Sequence, residues 1–205
     1  MNYTIDYSFV AAQIPDVMNA LYNERASKDI TLEEIRDAFR IKQVTGKQWL
    51  LNHFGALVHN KNSKILVIGS WLGFTSLCLH KLGYSNVTEV DPDGRLEDFS
   101  KHLNRFNPEF THITADVNDI DISIYDTIIN TSCEHISDNT WFKRIKPDTM
   151  IFLHSNNLKG YDDHVNTCEN VFEMASKYPM NIIFQGELDF DQWKRFMLIG
   201  TASRN

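Results

Sequence analysis

Apolar and polar positions change rhythm once along this chain. From residue 8 to residue 60 apolar side chains recur at three- and four-residue steps, the spacing of amphipathic helices. Phe9, Val10, Ile14, Val17, Met18 and Leu21 form the first stripe, with Pro15 placed to start or kink a helix. Thr31-Leu32-Glu33-Glu34 is a capping-box pattern, a hydroxyl followed three residues on by a carboxylate, and Ile35, Ala38 and Phe39 continue at helical spacing. Gly46 interrupts, and Trp49, Leu50, Phe54, Leu57 and Val58 define a third helix. The stripes predict a helical extension packed on a larger core, or a lid that turns Lys47 or Trp49 toward a ligand.

From Lys64 onward short apolar runs alternate with helical spacing. Strands are predicted at 65–68, 86–90, 111–114, 126–130, 149–154, 181–185 and 196–201. Helices fit at 72–82, 94–105, 138–145 and 162–177, with Gly83 placed to end the first. This alternation predicts an α/β fold: a mostly parallel seven-stranded sheet with helices on both faces. The last two strands are joined by 186–195 without a long helix, so they suit an antiparallel pair. No repeat, low-complexity tract or linker divides the chain. The expectation is a single domain over 1–205, with a cap at 1–60 and the sheet in 61–205.

Composition narrows the partners. The chain has 205 residues and a net charge of −7 without a long basic run, which disfavours binding driven by nucleic-acid phosphates. The start MNYTIDYSFV lacks the basic and apolar regions of a secretory signal. The longest uncharged run, 65–79, is broken by Gly, Ser and Thr, and it falls short of the roughly 20 residues that span a bilayer. Cys78, Cys133 and Cys168 are widely spaced, form no metal-type pair and suit a reducing cytosol. A cytoplasmic protein without a membrane segment is expected, and the oligomeric state is left open.

The candidate chemistry starts at Gly69-Ser70-Trp71-Leu72-Gly73, where the first strand hands over to a helix. Glycine there permits a tight turn and close approach of a ligand to the main chain, and N–H groups at a helix start attract anions. Asp91 ends the second strand, where a carboxylate can accept from both hydroxyls of a ribose; Asp91-Pro92-Asp93-Gly94 is also a turn sequence. Asp116 follows the third strand, placed either to accept from an adenine amino group while Val117 packs on the ring or to stand as a solvated loop acid. A dinucleotide loop would need G-x-G-x-x-G, but Trp71 and Phe74 stand at two of its three glycines, and no Gly-Lys-Ser/Thr follows.

With these residues in place the chain resembles the class I S-adenosylmethionine-dependent methyltransferases, over roughly 64–201. Gly69 and Gly73 match glycines of that family's D/E-x-G-x-G-x-G loop; Val67 stands at its acidic position and Trp71 at its middle glycine. A second match is Tyr125-Asp126-Thr127-Ile128-Ile129 with Cys133-Glu134-His135-Ile136-Ser137-Asp138, then Ile145-Lys146-Pro147. It is similar to the small-molecule branch that includes ubiquinone-biosynthesis O-methyltransferases, although Pro147-Asp148-Thr149 replaces that branch's Pro-Gly-Gly turn. The resemblance implies a Rossmann-like core and S-adenosyl-L-methionine as cofactor. Its contacts would be Gly69, Ser70, Trp71, Gly73, Asp91, Pro92, Asp116 and Val117, with Asn130 or Ser132 replacing in part the acid lost at Val67. It implies methyl transfer to oxygen or nitrogen of a small molecule. The alternatives are a Rossmann-type oxidoreductase and a non-catalytic binding protein with this fold.

Methyl transfer needs position, and a base where the nucleophile carries a proton. His135 is the candidate base beside Glu134, a pair the resemblance sets next to the substrate; a structural hydrogen bond at a helix start is the other role open to His135. No metal is expected, because a further acidic ligand is missing near Thr131. His154, Asn156 and, from the cap, Trp49 are candidate substrate contacts. Asp162-Asp163-His164 suits either a metal or a helix cap. Trp193-Lys194-Arg195 suits either a substrate carboxylate or a solvated hairpin edge.

Overall fold

The computed structural model describes residues 3–23 and 27–203, so residues 24–26 of the predicted cap lie outside the described residues. One sheet organises the chain, in the order β3-β2-β1-β4-β5-β7-β6. The strands are β1 (Ile65–Ile68), β2 (Val87–Asp91), β3 (Thr111–Thr114), β4 (Thr127–Asn130), β5 (Met150–Asn156), β6 (Asn181–Asp189) and β7 (Lys194–Thr201). Strands β1 to β5 pair in parallel, and β7 runs antiparallel between β5 and β6. This is the mostly parallel Rossmann-like sheet expected from the sequence.

The unbroken apolar run of β1 follows from burial on both faces. Ile65 and Val67 enter the core beneath the N-terminal helices, whereas Leu66 and Ile68 enter the core on the opposite face. Helices α5 (Phe74–Lys81) and α6 (Glu97–Leu103) contribute Leu77 and Phe99 to the first core. Helices α7 (Thr140–Lys143) and α8 (Val171–Lys177) contribute Trp141 and Met174 to the second.

The cap comprises α1 (Tyr7–Ala11), α2 (Ile14–Tyr22), α3 (Leu32–Ala38) and α4 (Ile41–Leu57). Pro15 sits in the first turn of α2, where its missing N–H has no helical partner to lose. The capping box opens α3: Glu34 N–H donates to Thr31 Oγ1 at 3.1 Å, and Thr31 N–H to Glu34 Oε2 at 2.7 Å. Leu50 and Phe54 of α4 are wholly buried, each worth about 1.5–3 kcal/mol of apolar transfer.

Three local expectations are corrected. Gly46 does not interrupt a helix; α4 runs through it for 17 residues. Its lack of a side chain makes room for another one, since a Cβ there would stand 2.7 Å from Arg195 Cδ. The helix expected at 162–177 forms only in its second half, capped by the Asn170 carbonyl oxygen of the side chain, which accepts from Phe172 N–H and Glu173 N–H. Upstream, Asn166 serves the turn after β4 instead: its side chain donates to the carbonyls of Cys133 at 3.2 Å and Ile136 at 3.0 Å. Finally, the hairpin between β6 and β7 is tight. Arg195 lies inside β7 opposite Asn156 of β5, and it is 3% exposed, so it is no solvated edge.

Candidate functional site

A cavity of about 920 Å³ opens where the parallel strands end, between the sheet edge and the cap. Gly69, Ser70 and Trp71 after β1 line it, with Asp91 and Pro92 at β2, Asp116 and Val117 after β3, Glu134 and His135 after β4, and Asn156 at the end of β5. From the cap Lys47 reaches it, and from β7 Arg195. Helix α4 and the strand ends thus meet at one cleft, the carboxyl edge where parallel sheets bind ligands.

The turn after β1 is held from both sides. Gly69 takes φ +61 and Gly73 φ +76. Trp71 takes φ 52, a left-handed conformation that costs a bulky residue about 1–2 kcal/mol. Its backbone therefore keeps the shape glycine gives this turn, while the indole forms one wall of the cavity. Trp71 N–H donates to Asp91 Oδ2 at 3.0 Å, and Asp93 N–H to Asp91 Oδ1 at 3.1 Å. Each Asp91 oxygen keeps a further lone pair. Burial raises the Asp91 pKa above the usual carboxylate range, against the two N–H donors. On the opposite side Ser132 Oγ donates to the Gly69 carbonyl at 3.0 Å, and a Cβ on Gly69 would lie 2.7 Å from Ser132 Cβ.

Other expected cofactor contacts take different places. Gly73 does not line the cavity; a Cβ there would collide with Ser100 Oγ, so it lets the start of α5 press on α6. Asn130 lies behind the cavity wall, its Oδ1 accepting from Ser132 N–H at 2.8 Å and its Nδ2 buried without a partner. Val67 is fully buried in the cap-side core. Asp116 is exposed at the cavity and accepts from Asn118 N–H at 2.7 Å. Ser70 also lines the cavity, with its Oγ buried and unpartnered.

Trp49 and His154, expected at the substrate, are core residues that do not reach the cavity. They stack at 5.8 Å between ring centroids, both at 2% exposure or less. Burial holds the His154 imidazole well below its usual pKa, with Arg195, Lys47 and His53 adding to the shift. Asn156 does line the cavity: its Nδ2 donates to Glu134 Oε1 at 2.5 Å, leaving Glu134 Oε2 buried and unpartnered. His135 is exposed at the rim, its Nδ1 3.1 Å from the Asp163 carbonyl and 3.2 Å from the Asp163 carboxylate. His164 joins it from the loop before α8, its Nδ1 2.7 Å from the Leu158 carbonyl. Neither Asp163 nor His164 caps a helix. Glu134, His135 and His164 each offer a ligand atom within 4.8 Å of the others, a set that could hold a metal ion.

Two buried cations complete the cleft. Burial, with Arg195 nearby, pushes the Lys47 pKa down to about 8. Its ammonium stands 6.0 Å from the Trp71 ring centroid and forms no hydrogen bond or ion pair among the described residues. Arg195 Nη2 donates to Gln43 Oε1 at 3.0 Å, its Nε is buried without a partner, and its guanidinium lies 5.1 Å from the Trp193 ring. Of the two roles that the sequence left open for 193–195, a solvated edge and a place at the site, Arg195 takes the place at the site, and the glycine of α4 makes room for it.

The sheet order and the glycine turn after β1 are those of a Rossmann-like fold. Individual solved structures agree. The N-methyltransferase NodS of Bradyrhizobium japonicum WM9, in complex with S-adenosyl-L-homocysteine, superposes with TM-score 0.65 at 14% identity, over 91% of this chain and all of that one. Magnesium protoporphyrin IX methyltransferase (ChlM) of Synechocystis PCC 6803, with bound S-adenosylmethionine, gives 0.59 at 13% identity, over 99% of this chain and 100% of that one. Geranyl diphosphate C-methyltransferase of Streptomyces coelicolor A3(2) gives 0.62 at 10% identity, over 79% and 78%. No protein-family model and no curated protein matches the chain. Among the described residues no helix is long and apolar enough to cross a membrane.

Proposed function

We propose that the protein is an S-adenosyl-L-methionine-dependent methyltransferase acting on oxygen or nitrogen of a small molecule. One observation carries this: Asp91, buried at the end of β2, ties the left-handed turn after β1 and keeps acceptor capacity on both oxygens toward the cavity. The residues fit the cofactor. Asp91 would take the ribose hydroxyls, Asp116 and Val117 the adenine, and Gly69, Ser70 and Trp71 the methionine part. When bound, the cofactor supplies an electrophilic methyl on a sulfonium.

The chain's own residues then position and deprotonate. Asp163 engages His135 Nδ1, which leaves Nε2 free to take the proton of an acceptor hydroxyl or amine. Glu134 is fixed by Asn156 in the cavity lining next to His135, and its second oxygen is buried without a partner. Trp71 and the cap wall the cleft and limit water.

A melting experiment tests the reading. S-adenosyl-L-homocysteine at 100-fold its dissociation constant should stabilise the protein by about 2.7 kcal/mol, a rise of roughly 5–10 °C, whereas NAD should give none. His135→Ala should keep that shift while slowing methyl transfer about 10²–10⁴-fold. A shift with NAD alone would point to hydride chemistry and overturn the assignment.

A further inference from the structure

Taking the cleft as a methyltransferase site, and resting on that assignment, we infer that Arg195 and Lys47 form a seat for an anionic group of the methyl acceptor, a carboxylate or a phosphate. Both cations are more than nine-tenths buried and both line the cavity. Such groups leave water at a cost that only a matched counter-charge offsets. The acidic residues of the cap rim do not supply it. Glu34 pairs with Arg95 at 3.1 Å, and Asp37 with Arg40 at 2.9 Å. Asp163 faces His135 at 3.2 Å. Glu134 is the buried carboxylate that bears on both cations, and Asp37, which also acts on Lys47, is matched by Arg40, so one positive charge is left over. Arg195 packs its Nε beside Gly46 and fixes Nη2 on Gln43 at 3.0 Å, which leaves Nη1 without a hydrogen bond among the described residues. A guanidinium with an open edge suits two oxygens of one anion.

Strand order separates this seat from the ribose site. From β1, where the glycine turn lies, the sheet runs β4, β5, β7, while β2 and Asp91 lie the other way. Three strand spacings of about 4.8 Å put Arg195 roughly 14 Å from the end of β1. The His135–Glu134 edge of β4 lies between. An acceptor held by its anion at Arg195 therefore presents its other end toward the methyl. Lys47 stands between the two regions, near Trp71. A cofactor carboxylate is the other source of such an anion, and the test separates them.

The test is ligand-observed NMR on protein saturated with S-adenosyl-L-homocysteine, using matched pairs: benzoate and benzamide, 4-hydroxybenzoate and 4-hydroxybenzamide, phenyl phosphate and phenol. At least one acid should bind ten times or more tightly than its neutral twin. Arg195→Met and Lys47→Met should each abolish that preference while changing homocysteine-cofactor affinity less than threefold. Arg195→Lys, which keeps the charge without the fork, should retain a weakened preference and serves if Arg195→Met does not fold. No acid bound above its twin, or a preference that survives in the Met variants, overturns the seat. A tenfold loss of cofactor affinity in those variants assigns the cations to the cofactor and overturns it too. Failure of the wild type to bind S-adenosyl-L-homocysteine sinks the methyltransferase assignment itself, whereas cofactor binding without acid preference sinks only the seat.

Discussion

Lys47 keeps an ammonium where the surroundings disfavour charge. Its pKa falls from 10.5 to about 8, mainly by burial, with Arg195 lowering it further and Cys78, Asp37 and Glu134 pulling the other way. At 1.36 kcal/mol per unit, this shift costs the folded state up to about 3 kcal/mol at neutral pH. The nearby Trp71 ring returns about 0.5–2 kcal/mol at most, so it does not offset the burial. The sign is set by the lowered folded pKa. Between about 8 and about 10.5 the unfolded chain binds the proton and the folded one does not, so stability rises with pH across that window. Lys47→Met should therefore be more stable than wild type at pH 7 by about 1–3 kcal/mol, with the gap closing by pH 10.5. Urea unfolding at both pH values checks this; a variant less stable at pH 7 contradicts it. Nothing in the sequence around Lys47 announced this. The lid reading offered Lys47 as a residue turned toward a ligand, but not its burial, because burial of a lysine depends on what packs over it.

At the scale of elements, α4 and β7 make the acceptor side together. Gly46 lets the Arg195 side chain pass against the helix backbone, and Gln43, one turn earlier, receives its guanidinium. Gly46→Ala improves helix propensity by about 1 kcal/mol. The added methyl must displace a buried arginine, a shape change that costs about 1–3 kcal/mol. The displacement should win: net stability unchanged or lower by up to about 2 kcal/mol, with the acid preference of the cleft reduced at least tenfold. Chemical denaturation with the matched-pair NMR reads both, and an unaltered acid preference contradicts the packing role. The inner strands β1, β4, β5 and β7 were legible because their apolar runs are buried on two faces. The loop at 157–170 was not. Asn166 spends its side chain on carbonyls 30 or more residues away, and no local pattern records that. The true start of α8 was visible in Asn170-Val171-Phe172-Glu173, an N-cap with a glutamate three residues on.

For the whole molecule, the half of the site built by β1, β2 and β3 follows the order of the chain, so its glycine turn and acids could be placed from spacing. The other half is assembled from the cap, the β4 turn, the 157–170 loop and an antiparallel hairpin, distant segments whose meeting is a tertiary event. Trp49 and His154 show the difference. Each sits in a segment that reaches the cleft, yet their rings stack on one another beneath it. Trp71 shows the reverse, a family glycine replaced by a bulky residue that still adopts the left-handed turn. The central claim is that Asp91 anchors an adenosyl cofactor at this turn. Calorimetric titration with S-adenosyl-L-homocysteine tests it most directly. Wild type should bind one equivalent, and Asp91→Asn, which keeps the shape but loses the charge and one of the two acceptor oxygens, should bind at least ten times more weakly while remaining folded. No heat of binding with the wild type, or equal affinity in the variant, would contradict the account.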